Sequence, residues 1–291
     1  MSGETDHPVI EAANHAGRSL AGRDEVWQSR LMSLLAQPLK LPNGVVLKNR
    51  IGKAPLTEGL ADEMNRATAR HVSLYRRWAE GGAAVVVTGN VQVDRRYLER
   101  PGNVVIDGNG GMDALRAYAR AGTANGTELW MQISHPGRQT PRRVCDHPVA
   151  PSAVPLALPA SAFAPPRAMT AEEVADVPHR FAHTAAVARE AGFTGVQIHA
   201  AHGYLLASLL APLANQRNDE YGGSLENRSR LMRELIAEGR DAIGETCGLT
   251  LRLSLDEMIG ELGFANAEVR DMIERIGSDR DALEREAEFG K

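Results

Sequence analysis

The chain has 291 residues, 43% of them hydrophobic and 24% charged, which is enough to bury one sizeable core. A formal net charge of -4 without a basic run argues against a nucleic-acid partner. Two cysteines, Cys145 and Cys247, are too few for a disulfide framework or an iron–sulfur cluster held by one chain. With no apolar signal region and no apolar run of about 18 residues, we predict a soluble, cytoplasmic protein without a membrane partner.

The first part of the chain carries one local structural signal. Residues 1–30 have mixed charge and weak periodicity, and we predict a flexible or helical N-terminal extension there. In the segment 39–48, Asn43-Gly44 stands between two short apolar runs, which is the strongest short-range signal for a β-hairpin. In a barrel, such a hairpin would close the bottom.

Strands and helices alternate along the rest of the chain. Each predicted strand is a short apolar or β-branched run, and the predicted helices show helical spacing or a capping motif. The strands are predicted at 51–57, 83–88, 128–133, 194–199 and 249–254, and the helices at 68–80, 113–124, 170–191, 225–243 and from Asn266 to about Ile276. This alternation predicts a parallel α/β architecture.

Polar residues at the C-terminal ends of the strands favour a TIM (β/α)8-type barrel over an open sheet. The segment 139–168 is rich in proline, alanine and arginine, and we predict a long functional loop on the upper face of the barrel. Only about five or six β/α units fit into this sequence. We therefore expect an incomplete barrel over 31–276, followed by a charged tail over 277–291.

Two polar side chains stand inside apolar strands. Arg252 alternates with Leu251 and Leu253, so it should point into the barrel while the leucines face the helices. A buried guanidinium requires an anion, either an inward carboxylate or an anionic ligand, and we favour the ligand. The amide of Gln132 needs hydrogen-bond partners, which a planar ring with amide-like edges would supply.

The fourth strand ends at His199, and His202 and Tyr204 follow it. Two histidines with a phenol beside them suit the polarisation of a carbonyl and the delivery of a proton. A zinc site is the rival interpretation, and it would need a further ligand such as His135 or a carboxylate from another strand. Thr57 is open to either reading, as a ligand contact or as an ordinary β-branched strand residue.

Taken together, these segments resemble the Old Yellow Enzyme family of FMN-dependent NAD(P)H oxidoreductases, from about residue 39 to about residue 254. The most specific motif is His199-Ala-Ala-His202-Gly-Tyr204-Leu-Leu, followed by Asn215-Gln-Arg-Asn-Asp-Glu-Tyr-Gly-Gly-Ser-Leu-Glu-Asn-Arg228. Most of residues 218–224 also read as turn chemistry before a helix. The segments that follow the family order and spacing are 49–57, 88–90, 131–138 and 251–254.

The resemblance implies that FMN lies across the C-terminal mouth of the barrel, with NADH or NADPH as the reductant. Thr57 would lie near the flavin carbonyl beside N5, Gln132 would bond the pyrimidine edge, and Arg252 would stabilise the anionic reduced ring. The full set of implied flavin contacts is Ala54, Pro55, Leu56, Thr57, Asn90, Gln132, His199 and Arg252.

The resemblance also implies ene-reductase chemistry on a small molecule such as an α,β-unsaturated carbonyl compound. His199 and His202 would hold the carbonyl oxygen, the β-carbon would take a hydride from flavin N5, and Tyr204 would protonate the α-carbon. Asn90 replaces the usual small residue beside the flavin, and Gln197 stands where the family often has a carboxylate. A homo-oligomer is left open.

The family builds its FMN phosphate site from loops after the seventh and eighth strands, for which we find no counterpart in the sequence. The alternative hypothesis is therefore an inactive or partner-completed barrel fragment that does not bind FMN alone.

Overall fold

The computed structural model describes residues 34–254 and residue 271, which divide into two compact units between Ile51 and Gly52. In the first unit, β1 (Leu39–Lys40) pairs antiparallel with β2 (Val46–Leu47). Gly44, with a φ of 86°, occupies the turn between them, and only glycine adopts this conformation readily. The predicted hairpin is confirmed, whereas the predicted extension over 1–30 lies outside the described residues.

The second unit is organised on a parallel sheet, which has six strands within the described residues. Its strands are β3 (Gly52–Lys53), β4 (Val85–Gln92), β5 (Val104–Val105), β6 (Glu128–Ser134), β9 (Gly195–Ala200) and β10 (Gly248–Leu253). Their order is β10-β9-β6-β4-β3, and β5 pairs with β4. Two further short strands, β7 (Val149–Ala150) and β8 (Arg167–Ala168), pair with each other inside the predicted long loop.

Five α-helices lie between the strands in the range 52–254, and their bounds are α1 (Ala69–Glu80), α2 (Met112–Gly122), α3 (Ala171–Ala191), α4 (Leu205–Leu210) and α5 (Leu225–Ile243). The predicted capping box of α3 is confirmed, because Thr170 Oγ1 accepts a hydrogen bond from the Glu173 backbone and Glu173 Oε2 accepts one from the Thr170 backbone. None of the helices within 34–254 is both long and apolar enough to cross a membrane.

The core lies between the sheet and the helices. On the strands, alternate apolar residues such as Val86, Met131 and Ile198 are buried in one cluster with helix residues such as Phe181 and Leu235. The intervening strand residues therefore face the opposite, inner side of the sheet.

Three details differ from the sequence-based expectations. The first strand covers Gly52–Lys53 and not 51–57, and Pro55, which has no N–H to donate, interrupts any continuation as a ladder. The second strand continues to Gln92, beyond the expected end at Thr88, with a register shift between Val87 and Asn90. The strand β5 and the short helix α4 were not predicted.

The last predicted elements fall largely outside the described residues. Asp271, within the expected final helix, is helical. The rest of that helix and the expected charged tail over 277–291 are not described, so these remain predictions.

The indole of Trp130 lies over two glycines on the inner face of the sheet. Trp130 is in register with Gly195, and Gly195 is in register with Gly248. A Cβ added at Gly195 would lie 2.6 Å from Trp130 Cδ1 and 3.0 Å from the Gly248 carbonyl oxygen. The two neighbouring strands thus leave space for a single large ring, which fills this layer below the mouth.

We expect Gly195→Ala to lower the free energy of unfolding by about 1–3 kcal/mol, because the new methyl group overlaps a rigid ring and a backbone carbonyl. Urea denaturation measures the change. Gly239→Ala on α5 is the control, since the nearest atom to its added Cβ is 3.9 Å away and the substitution favours the helix. Equal stability of the wild type and Gly195→Ala would contradict this packing.

Candidate active site

The inner face of the sheet carries two adjacent layers of polar side chains near the C-terminal ends of its strands. Residues two apart on a strand share a face, so each layer follows from the parallel register. The first layer consists of Asn90, Gln132, Gln197 and Thr250, which are in register across the sheet. The second consists of two registered pairs, Gln92 with Ser134 and His199 with Arg252. The structure thereby brings four of the predicted site residues onto one face.

Three of the four residues in the first layer carry side-chain amides. Gln132 Nε2 donates to Gln197 Oε1 at 2.8 Å, and the Gln132 backbone N–H donates to Thr88 Oγ1 at 2.9 Å. The protein itself therefore supplies one of the partners that the Gln132 amide was expected to need. Asn90 Oδ1, in contrast, is buried and accepts no hydrogen bond from the residues of 34–254. A buried acceptor of this kind calls for an N–H donor from a ligand or a water molecule.

Three rings meet where β9 ends. The ring centroid of His199 is 4.9 Å from that of His202 and 5.0 Å from that of Tyr204. His202 and Gly203 both have positive φ, of 60° and 66°, and this sharp turn directs the chain back over the strand end. Gln139, which the sequence analysis did not single out, donates from Nε2 to the His202 carbonyl oxygen.

Burial defines the protonation of His199 and Tyr204, and a backbone hydrogen bond fixes the tautomer of His199. The Ala201 backbone N–H donates to His199 Nδ1 at 3.2 Å, so the ring proton of a neutral His199 is on Nε2. Burial, with the charges of His202 and Arg252, lowers the pKa of His199 to about 3. Burial, with the charge of Glu99, raises the pKa of Tyr204 to about 12. At neutral pH His199 is uncharged and Tyr204 keeps its proton.

As its parity predicted, Arg252 lies on the inner face of the sheet, where it is in register with His199, but its side chain is half-buried and not enclosed. The reason is its position on β10, which is the last strand of the described sheet and is half-buried throughout. Arg252 Nη2 lies 3.3 Å from His202 Nε2. Within 34–254 no carboxylate forms an ion pair with Arg252, so the inward carboxylate that we considered is not found there.

The segment that follows β3 carries the remaining predicted contacts. Ala54 and Leu56 are exposed, and Pro55 and Thr57 are half-buried. A Cβ added at Gly89 would lie 2.6 Å from both the Leu56 carbonyl oxygen and Thr57 Cα, so this segment rests directly on β4. Thr57 Oγ1 donates to Glu99 Oε2 at 2.7 Å and accepts from the Asn90 backbone N–H at 3.2 Å.

A buried network that the sequence analysis missed holds the same segment from the helix side. Tyr75 Oη donates to Glu58 Oε1 and accepts from the Gly89 backbone N–H at 3.1 Å. Lys53 Nζ lies 3.8 Å from Glu58 Oε1, and burial lowers the pKa of this lysine. A lysine inside an apolar strand was a detectable signal, of the same kind that drew attention to Arg252.

The residues 215–228 mainly hold the surrounding loops in place through hydrogen bonds. Their long polar side chains donate to backbone carbonyls of the surrounding loops: Asn215 to Leu209 and Tyr221, Arg217 to Pro151 and Met169, and Arg228 to Leu210. Ser224 Oγ also accepts from the Asn227 backbone, which confirms it as the cap of α5. The motif therefore stabilises the loops around the C-terminal end of α4.

The rival hypothesis is a zinc site that includes His199 and His202. Within 34–254, no group of three histidine, cysteine or carboxylate side chains is placed to hold a metal ion. His135 uses Nδ1 to accept from the Gly137 backbone and packs its ring against Tyr97. The described residues thus do not assemble His135, His199 and His202 into a metal centre.

Comparison with known proteins places this site in a family. Residues 34–287 match the family model of the NADH:flavin oxidoreductase / NADH oxidase family. The NADH-dependent flavin oxidoreductase iliE of Hypocrea jecorina is 33% identical over 262 residues, which are 83% of this chain and 65% of the relative. The chain thus spans less than two thirds of the length of that relative.

Solved structures agree. An Old Yellow Enzyme homologue from Zymomonas mobilis superposes with a TM-score of 0.72 at 29% identity, over 84% of this chain and 71% of that one. A 2-naphthoyl-CoA reductase gives a TM-score of 0.77 at 26% identity, over 84% of this chain and 39% of that one. These likenesses confirm the predicted α/β-barrel class, and family membership supports the predicted FMN and NADH or NADPH as cofactors. The chain belongs to the NADH:flavin oxidoreductase / NADH oxidase family, the Old Yellow Enzyme family that its motifs resemble.

Proposed function

We propose that this chain carries the redox site of an FMN-dependent ene-reductase that uses NADH or NADPH as its reductant. The observation that carries the proposal is the cluster of His199, His202 and Tyr204 beside a row of inward amides and the cation of Arg252. The cofactor fits these residues in two respects. The buried acceptor Asn90 Oδ1 suits an N–H donor on a planar ring, and Arg252 suits an anion.

Each side chain of the cluster would have a separate role in the reaction. Bound FMN would supply hydride transfer, taking a hydride from NAD(P)H and giving it to the β-carbon of an activated alkene. His199 would donate from Nε2–H to the substrate carbonyl oxygen. Arg252 is always a donor, so the nearby His202 Nε2 is an acceptor and the ring proton of a neutral His202 is on Nδ1, from which His202 would donate to the same oxygen. Both donors would stabilise the negative charge that develops on that oxygen.

Tyr204 would complete the reaction by giving its phenolic proton to the α-carbon. Its raised pKa keeps that proton in place until the carbanion forms, and its ring lies against His199, which would hold the carbonyl. The substrate class is therefore an α,β-unsaturated carbonyl compound or a similarly activated alkene. A small-molecule substrate and a cytoplasmic setting are parts of the proposal.

We expect Tyr204→Phe to slow the oxidation of the reduced, FMN-loaded protein by 2-cyclohexenone by about 10²- to 10⁴-fold, because the proton donor is lost. Reduction by NADH should change little. Stopped-flow absorbance of the flavin separates the two half-reactions. Tyr97→Phe, which changes a buried phenol packed on His135, is the control. A wild-type protein that NADH reduces but the enone does not reoxidise would contradict the ene-reductase assignment.

We expect the His199 ring to show no titration between pH 8 and pH 5, because its pKa in the folded chain is about 3. The unfolded chain takes up this proton near pH 6.5, so the contribution of His199 to stability is complete above that pH and is lost as the pH falls towards 3. Imidazole NMR signals, assigned with His199→Asn, give the measurement. A midpoint near 6.5 for His199 would show that the ring is not desolvated.

A further inference from the structure

The carboxylate of Glu99 joins two of the proposed flavin contacts. Its side chain is 16% exposed, and Oε2 accepts from Thr57 Oγ1 at 2.7 Å and from Asn90 Nδ2 at 2.6 Å. Its other oxygen lies 3.5 Å from the guanidinium of Arg100, which is half exposed. Charge-assisted hydrogen bonds of this kind are stronger than neutral ones, so Glu99 fixes the orientation of both partners.

The hydrogen bond to Glu99 uses the single hydroxyl proton of Thr57. A threonine hydroxyl has one proton, and Thr57 donates it to Glu99. The same oxygen accepts from the Asn90 backbone N–H at 3.2 Å. In this arrangement Thr57 has no proton left for a ligand, and it can offer only a lone pair.

The hydrogen bond to Glu99 also fixes the orientation of the Asn90 side-chain amide. With Nδ2 held by Glu99, the amide plane is fixed and Oδ1 is the atom left over. Oδ1 is the buried acceptor that has no partner among residues 34–254. One carboxylate therefore turns two neighbouring side chains into acceptors at the mouth of the sheet.

The backbone around these side chains cannot easily adjust. Gly89 approaches the Thr57 backbone too closely to tolerate a Cβ, and its N–H is held by Tyr75. Tyr75 in turn donates to Glu58, the residue next to Thr57. Glu58 and Glu99 thus hold the same segment from the helix side and from the mouth.

We propose that Glu99 is a positioning residue that withholds the Thr57 proton from FMN and presents acceptor oxygens in its place. The inference rests on the proposed function. Lone pairs and a nearby carboxylate disfavour the negative charge of a reduced flavin, so Glu99 lowers the midpoint potential of the bound cofactor. The reduced protein is then a stronger hydride donor than it would be if Thr57 donated to the flavin.

The midpoint potential of the FMN-loaded protein tests the proposal without reference to turnover. For Glu99→Ala, which leaves no acceptor for the Thr57 hydroxyl, we expect a rise of about 30 mV or more, a tenfold change in the two-electron equilibrium, measured against a reference dye. In a Thr57→Val background the rise should be smaller, because no hydroxyl proton is released. Asp113→Asn, which neutralises a fully exposed carboxylate, is the control and should not shift the potential. An unchanged potential in Glu99→Ala overturns the inference.

A second measurement uses the FMN-free chain. Glu99→Ala and Thr57→Val should change the urea midpoint non-additively, since both remove the same contact. Additive changes show that Glu99 does not hold Thr57, and they overturn the inference whatever the flavin does. A wild-type chain that takes up no FMN contradicts the proposed function and removes the flavin role of Glu99 with it. The FMN-free cycle then shows whether the Glu99–Thr57 contact itself was correctly placed.

Discussion

The parallel register of β4, β6, β9 and β10 is the constraint on which the site depends. Because side chains alternate between the faces of a strand, a slip of one residue would exchange the polar layers with the apolar residues that face the helices. Trp130 opposes such a slip, since its indole lies over Gly195, where an added Cβ would be 2.6 Å from Trp130 Cδ1. A packing contact below the mouth thus holds the polar groups at the mouth in line.

Burial at this face also sets the chemistry of the groups. Desolvation keeps His199 neutral and Tyr204 protonated. His199 is therefore an uncharged hydrogen-bond donor, and Tyr204 is a proton donor. Two carboxylates near the site are held by structural partners, Glu58 by Tyr75 and Lys53, and Glu99 by Thr57. The charge of Glu99 also contributes to the raised pKa of Tyr204. These contacts hold the charged side chains around the site in fixed positions.

Local patterns in the sequence were sufficient for the fold class and for the sheet faces. Apolar runs predicted four of the strands, and the parity of Arg252 predicted the inner face, which it shares with His199. Contacts between distant segments could not be read in this way: Thr57 and Glu99 are 42 positions apart, and nothing in the sequence pairs them. The half-burial of Arg252 was also missed, because exposure depends on which strands flank β10 and not on the strand itself.

A titration of the purified 291-residue chain with FMN, followed by its visible spectrum and then by addition of NADH, tests the central claim most directly. We predict that one FMN binds per chain, that NADH bleaches its absorbance, and that Gln132→Leu weakens uptake because it removes the inward amide. A folded chain that leaves the FMN spectrum unchanged at saturating cofactor would contradict the account. It would favour a barrel fragment that has kept the motif without the function.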